Sequence, residues 1–344
     1  MKRRKSVMMP IAGALAVASL GLMQPAPTAA QTKVVNVYSA RHYGALEKVF
    51  AEFSRETGIQ VRLSNASTQA LLERLRAEGP QTPADVFFVI DVGALQTAAD
   101  EGLLQPIESD VLNTVIPAAL RDPQGRWYAL SLRYRTLMYN PAKVKPEELS
   151  TYEALADRKW RGRLCMRPAT HIYTVSLVAS MIANIGERQT ERVLRGWMAN
   201  RPTFIDSDSR ILDTIAAGKC DVGITNHYYL GNKLKSDPKF PVKLFWANQK
   251  DRGVHVNLSG AGVTANAPNR ENAVKLLEWL ATRGQDPGVA GLPGGNSEYP
   301  VNPSAQPTEV LKRFGSFKAD LASLPQYGPL QAQAIKLLER VGYK

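Results

Sequence analysis

The chain has 344 residues, of which 44% are hydrophobic and 22% are charged, with a formal net charge of +12. Its basic residues are scattered among acids, and no block of lysine and arginine is interleaved with aromatics, which argues against a nucleic-acid groove. The two cysteines, Cys165 and Cys220, are too few and too far apart for a CxxC redox site or a zinc cluster.

The amino terminus has the layout of a secretory signal peptide. Four basic residues at positions 2–5 precede an apolar run, and small residues around Thr28 and Ala30 offer a cleavage site. A membrane anchor is the alternative, but Pro10 interrupts the run, which is shorter than the roughly 20 residues of a spanning helix. We predict that residues 1–30 are removed on export to the periplasm, which leaves a mature net charge near +8.

Strand-like and helix-like runs alternate through the first part of the mature chain. The runs are KVVNVYSAR (33–41), GALEKVFAEFSRETG (44–58), IQVRLSN (59–65), TQALLERLRAEG (68–79), ADVFFVI (84–90) and VGALQTAADEGLL (92–104), a strand and a helix in turn. This alternation predicts βαβ units and an open α/β sheet with binding sites at the carboxyl ends of its strands.

The alternation begins again after WYALSLRYRTLMYNP (127–141). RGRLCMR (161–167), DVGITN (221–226) and LSGAGVTAN (258–266) are predicted strands, and residues 171–186, 187–200 and 267–284 are predicted helices. No linker or repeat divides the two parts. We therefore predict a two-lobed α/β binding protein whose lobes are joined by hinge strands. Residues 31–131 with 259–310 form the first lobe, and 132–258 with 311–344 form the second.

The two cysteines flank strand-like runs within the second predicted lobe. In an oxidising compartment, two otherwise lone thiols most simply form one disulfide. The prediction is a Cys165–Cys220 bridge, and two buried free cysteines are the alternative.

Four tyrosines and one histidine lie where the predicted cleft would be. The first strand ends at His42 and Tyr43, Tyr173 begins a helix, and Tyr228 and Tyr229 follow DVGITN. A single tyrosine most often has a structural role, with its ring half-buried against neighbouring side chains. Two adjacent tyrosines face one site only if the chain turns there. Five donors from three distant segments nevertheless predict one metal site.

The donor chemistry favours iron. Phenolate oxygens are hard anionic donors that suit ferric iron, whereas thiolate and imidazole ligand sets suit copper or zinc. We therefore favour ferric over ferrous iron as the bound metal. A phenol ordinarily has a pKa near 10, so it ionises at neutral pH only when a strong cation displaces its proton.

Together, several segments resemble the periplasmic ferric-iron-binding proteins of ABC importers, and the FutA-like subgroup in particular. The segments are YSARHYGALEKVFAEF, PADVFFVIDVGALQTAADEGLL, RWYALSLRYRTLMYNP, IYTVSLVASMIA, DVGITNHYYLG and GNSEYPVNP. The resemblance covers essentially the whole mature chain and implies a type II periplasmic-binding-protein (transferrin-like) fold. It also implies iron-ligand roles for His42, Tyr43, Tyr173, Tyr228 and Tyr229, and a monomer that delivers iron to an inner-membrane permease.

Further residues have supporting roles in this prediction. Because Tyr173 fills a place that would otherwise need an anion, we expect no synergistic anion. Arg133 is our choice for a residue that neutralises excess phenolate charge, while Arg135 fits an ion pair equally well, and Asn226 and Lys233 are weaker candidates. His171, His227 and His255 are expected to be structural, with His227 close behind the tyrosine pair.

Two other classes of function are weighed against iron binding. A same-fold protein for a polyamine, thiamine or sulfate would not need four converging tyrosines. A secreted enzyme is not expected, because the chain has no GxSxG or HExxH motif and no carboxylate pair at strand ends.

Overall fold

A computed structural model describes residue 1 and residues 33–41, 44–286 and 296–344. Residues 2–30 of the predicted signal peptide and the predicted ligands His42 and Tyr43 lie outside the described residues. No helix in the described ranges is long and apolar enough to cross a membrane.

The described residues contain nine strands and eleven α-helices. The strands are β1 (Val34–Ser39), β2 (Gln60–Asn65), β3 (Val86–Val89), β4 (Tyr128–Tyr139), β5 (Leu164–Met166), β6 (Thr203–Phe204), β7 (Val222–Asn226), β8 (Lys243–Phe245) and β9 (His255–Val263). The helices are α1 (Gly44–Thr57), α2 (Thr68–Glu78), α3 (Val92–Asp100), α4 (Asp110–Val115), α5 (Ile172–Ile185), α6 (Glu187–Ala199), α7 (Asp208–Ala216), α8 (His227–Ser236), α9 (Arg270–Ala281), α10 (Glu309–Lys312) and α11 (Tyr327–Arg340).

Local sequence sets several of these bounds. The Ser67 hydroxyl caps α2 by accepting from the Ala70 N–H at 3.2 Å, and the Asp91 carboxylate caps α3 in the same way. Helix α1 ends before Gly58, which adopts φ +72°, as predicted. Helix α3 ends at Asp100 rather than at the predicted Leu104, because the chain turns at Gly102 with φ +70°.

Two long antiparallel strands join two groups of parallel strands. The sheet order is β2-β1-β3-β9-β4-β7-β5-β6, with β8 also on β4. Strand β9 pairs with β3 through its last residues and with β4 along most of its length, and β4 continues onto β7. The α/β prediction with connecting strands is confirmed. Strand β9 begins at His255, earlier than predicted, because Arg135 and His255 already pair.

The carboxyl-terminal helix contacts elements from both predicted lobes. Helix α11 packs against α3 and α5. The side-chain amide of Gln331 donates to Asp91 Oδ1 at 2.7 Å. The lobe boundaries themselves stay a prediction.

The predicted disulfide is present. Cys165 of β5 and Cys220, just before β7, are bonded, and their Cα atoms are 5.8 Å apart, within the usual range for a disulfide. Both side chains are buried in an apolar cluster with Met138, Ile211 and Leu212.

Removing this disulfide should destabilise the protein substantially. The bond spans a sequence separation of 55. A loop of that length corresponds to a loss of roughly 4 kcal/mol in the free energy of unfolding by the chain-entropy account. We expect the Cys165→Ala/Cys220→Ala double variant to unfold at a clearly lower urea concentration than the wild type. An unchanged midpoint would contradict this.

Candidate metal centre

Tyr173 is held at the start of α5 by its neighbour His171. The His171 Nδ1 atom accepts a hydrogen bond from the Tyr173 backbone N–H at 3.2 Å, and the two ring centroids are 4.4 Å apart. Burial, with the Arg167 charge nearby, lowers the pKa of His171 to about 4, so the ring is neutral and can accept. The Tyr173 side chain is thereby fixed at the amino end of a buried helix.

Tyr228 and Tyr229 lie in the first turn of α8, directly after β7. The chain changes from strand to helix at His227, which supplies the turn that two adjacent tyrosines need in order to share one site. Their ring centroids are 4.3 Å apart, and Tyr228 is buried while Tyr229 is half-buried. The two phenols therefore lie side by side.

Tyr173 and Tyr228 meet through their hydroxyl oxygens, which are 2.9 Å apart. The two residues are 55 positions apart in sequence, and both side chains are buried. Two phenol oxygens from distant segments at this separation could bind one cation together. Of the predicted donors, the structure brings together Tyr173, Tyr228 and Tyr229.

His227 fixes the start of α8 from behind the tyrosine pair. Its Nδ1 accepts from the Tyr134 backbone N–H at 3.0 Å, so the proton is on Nε2, which donates to the Ser297 carbonyl at 3.0 Å. Burial lowers the pKa of His227 to about 4, which keeps this arrangement neutral. His255 is buried as well, and its Nε2 lies 3.1 Å from Ser176 Oγ.

Arginines surround the ring of Tyr173. The guanidinium carbons of Arg133 and Arg135 lie 5.2 and 5.7 Å from the centroid of the ring. Arg133 donates to the backbone carbonyls of Leu258, at 2.9 Å, and Ile90, and it has no carboxylate partner among the described residues.

Arg135, by contrast, pairs with a buried carboxylate. Its Nη1 lies 2.7 Å from Asp208 Oδ1, and Arg167 lies 3.3 Å from the other oxygen of the same carboxylate. Sequence reasoning missed Asp208, since no local pattern links it to arginines in other segments. Arg135 and Arg167 share this one carboxylate, and Arg133 has none in the part of the chain that the structure describes, so the arginines near the Tyr173 ring carry net positive charge.

A small polar cavity lies beneath the site. It has a volume of about 10 Å³, enough for roughly one water molecule. It is lined by Arg133, Arg135, Tyr173, Ser176, Asn226, His255 and Asn257.

The weaker candidates lie in different positions. The Asn226 amide nitrogen is 3.5 Å from the Tyr228 hydroxyl, at the limit of a hydrogen bond. The Lys233 ammonium is 2.5 Å from Asp213 Oδ1, so its charge is already paired. Across the described ranges, no group of three or more His, Cys, Asp or Glu side chains could hold a metal ion. The tyrosines are therefore the stronger metal-site candidates.

A family model for bacterial extracellular solute-binding proteins matches residues 48–319. The chain belongs to this family. It is 40% identical to "Iron uptake protein A1" of Synechocystis, over 97% of this chain and 95% of the relative.

Two solved structures of iron-binding proteins match the fold closely. The Trichodesmium FutA (IdiA) protein in complex with iron and citrate is 43% identical, with a TM-score of 0.83 over 90% of this chain and 100% of that one. The ferric binding protein of Campylobacter jejuni is 32% identical, with a TM-score of 0.83 over 90% and 100% of the two chains. The two-lobed fold predicted from the sequence is confirmed, and so is the family resemblance.

Proposed function

We propose that the protein captures ferric iron through tyrosine phenolates in the periplasm and delivers it to an inner-membrane ABC importer. The observation that carries this is the 2.9 Å approach of the Tyr173 and Tyr228 hydroxyls, with the Tyr229 ring beside that of Tyr228 at a centroid distance of 4.3 Å. Phenolates suit a hard trivalent cation. The iron named for the Synechocystis, Trichodesmium and Campylobacter relatives supports the same cargo.

The proposed ligands are Tyr43, Tyr173, Tyr228, Tyr229 and His42. Four phenolates carry one more negative charge than a ferric ion neutralises. The positive charge of Arg133 beside Tyr173 would offset that excess, because electrostatic attraction is strong in a buried setting. This set needs no added anion, although the Trichodesmium relative holds citrate with its iron.

Iron loading tests this function. Protein exposed to ferric citrate and then desalted should retain one iron per chain by metal analysis. Protein that retains no iron would contradict the proposal. Retention of a polyamine, thiamine or sulfate instead would support the alternative of a same-fold organic or anionic solute binder.

Iron should also close the cleft. Tyr173, Tyr228 and Tyr229 lie in the predicted second lobe, whereas His42 and Tyr43 lie in the first, so a complete site requires both lobes. We expect a smaller radius of gyration with iron than without it in small-angle X-ray scattering. Identical radii in the two states would count against this lobe assignment.

Arg133 should matter through its charge. We expect Arg133→Gln to weaken iron binding about 10- to 100-fold, the usual range for groups that support metal ligands. Arg133→Lys, which keeps the charge but not the two guanidinium bonds to backbone carbonyls, should bind more nearly like the wild type. Competition against a chelator measures both variants. Equal losses in the two would show that the backbone bonds, rather than the charge, explain the effect.

A further inference from the structure

Residues 296–299 form a buried polar segment that contacts three separate elements. Asn296, Ser297 and Glu298 are each at least nine-tenths buried. We call these four residues the 296–299 segment. None of them was among the residues that the sequence predicted for the metal site.

The Glu298 carboxylate accepts hydrogen bonds from three different residues. Its Oε2 accepts from Arg41 Nη2 at 2.9 Å and from the Ser131 hydroxyl, and its Oε1 accepts from the Asn296 amide at 3.0 Å. Arg41 also donates to Ser131 Oγ at 3.0 Å. Removing two charges from water costs free energy, and their mutual attraction often does no more than offset that cost. The buried Arg41–Glu298 pair therefore contributes little net stability. It does fix the end of β1 against β4 and the segment.

Ser297 attaches the same segment to α8. It adopts φ +54°, a conformation that non-glycine residues rarely hold. Its carbonyl accepts from His227 Nε2, and its hydroxyl donates to the Asn232 side chain at 2.9 Å. A Cβ atom added to Gly231 would lie 2.8 Å from the Ser297 Cβ, so only glycine allows α8 to come this close. Strained residues of this kind cluster at functional sites.

Tyr299 joins the segment to β4. Its N–H donates to the Leu132 carbonyl at 3.0 Å, and its carbonyl accepts from the Leu132 N–H at 2.9 Å. Leu132 directly precedes Arg133, the arginine beside Tyr173. The 296–299 segment thus connects the end of β1, the middle of β4 and the first turns of α8.

We propose that the 296–299 segment, through Glu298, sets the position of the first turn of α8 relative to β1 and β4, and so positions Tyr228 and Tyr229 for iron. This inference rests on the proposed function. Glu298 is a positioning residue: it bonds Arg41, Ser131 and Asn296, and it acts on the tyrosine pair through Ser297 and His227.

The test compares Glu298→Gln with the wild type and with a matched control. Asp122→Asn is the control, because Asp122 is a similarly buried carboxylate that accepts four hydrogen bonds from Arg126 and Gln124. Each protein is loaded with ferric citrate, and its loss of iron to EDTA is followed by the visible absorption band. Circular dichroism verifies folding.

We expect Glu298→Gln to release iron about 10- to 100-fold faster than the wild type, with a shifted band, and Asp122→Asn to release it at the wild-type rate. Release from Glu298→Gln within about twofold of the wild type, or equal acceleration in Asp122→Asn, would overturn the inference while leaving the proposed function intact. A wild type that retains no iron would overturn both.

A second variant covers failure of Glu298→Gln to fold. Arg41→Met/Glu298→Met replaces the ion pair by apolar side chains, a change that folded proteins often tolerate. It removes the same connection without leaving a buried charge unpaired. The same release rates then decide the inference.

Discussion

Tyr228→Phe or Tyr229→Phe is expected to nearly abolish iron binding. The two phenols lie side by side in one helical turn. Little conformational entropy is therefore lost in fixing their relative position when iron binds. Iron should dock there first, together with Tyr173, before the opposite lobe completes the site. Each substitution removes one anionic donor from the group of tyrosines that is expected to bind iron first.

The other predicted ligands should matter less. His42→Ala removes a neutral donor that water can replace, so it should weaken binding far less than either substitution in the tyrosine pair. Tyr43→Phe should weaken iron binding more than His42→Ala but less than a substitution in the tyrosine pair. It should leave a coloured complex with a shifted visible absorption band. Iron titrations followed by visible absorption rank the variants.

A suitable control is Tyr139→Phe. Tyr139 is a buried tyrosine of β4 that pairs with Val222, at the other end of β7 from the tyrosine pair. The Tyr139→Phe variant should bind iron like the wild type. If His42→Ala loses iron while Tyr228→Phe keeps it, with both proteins folded, the proposed order of importance is wrong.

Acid should release the iron steeply between pH 7 and pH 5. Each phenol takes back a proton when iron leaves, because phenols ordinarily have a pKa near 10. Each phenolate ligand therefore contributes about a tenfold loss of affinity per pH unit, and four phenolates should give a far steeper dependence than one. Measuring iron retention against a chelator of known pH dependence gives the slope.

The slope of iron affinity against pH also gives the number of phenolate ligands. Tyr43→Phe should reduce it by about one proton per iron if the residue is a ligand. A pH-independent affinity for the wild type would contradict phenolate ligation altogether.

The sequence predicted the elements better than the contacts between them. Strand and helix runs follow local periodicity and capping, so β7 and the start of α5 lie where they were predicted. Strand β5 is shorter than predicted because the chain turns at Gly162, with φ +73°. Local patterns of this kind locate a residue within an element but not beside a distant partner.

The supporting parts of the site depend on such distant contacts. Arg41 and Glu298 are 257 positions apart, and Arg135 and Asp208 are 73 apart. In the sequence, Glu298 is only one acid among small and polar neighbours. The tyrosines could be predicted because their chemistry is distinctive at strand ends, whereas the charged residues behind them gave no comparable pattern.

Resonance Raman spectroscopy of the iron-loaded protein tests the central claim most directly. If phenolates hold the iron, excitation within the visible charge-transfer band should enhance tyrosine ring vibrations, and Tyr173→Phe should shift that band. Iron retained one per chain without a visible band, or with no enhanced tyrosine vibrations, would contradict the proposed metal centre.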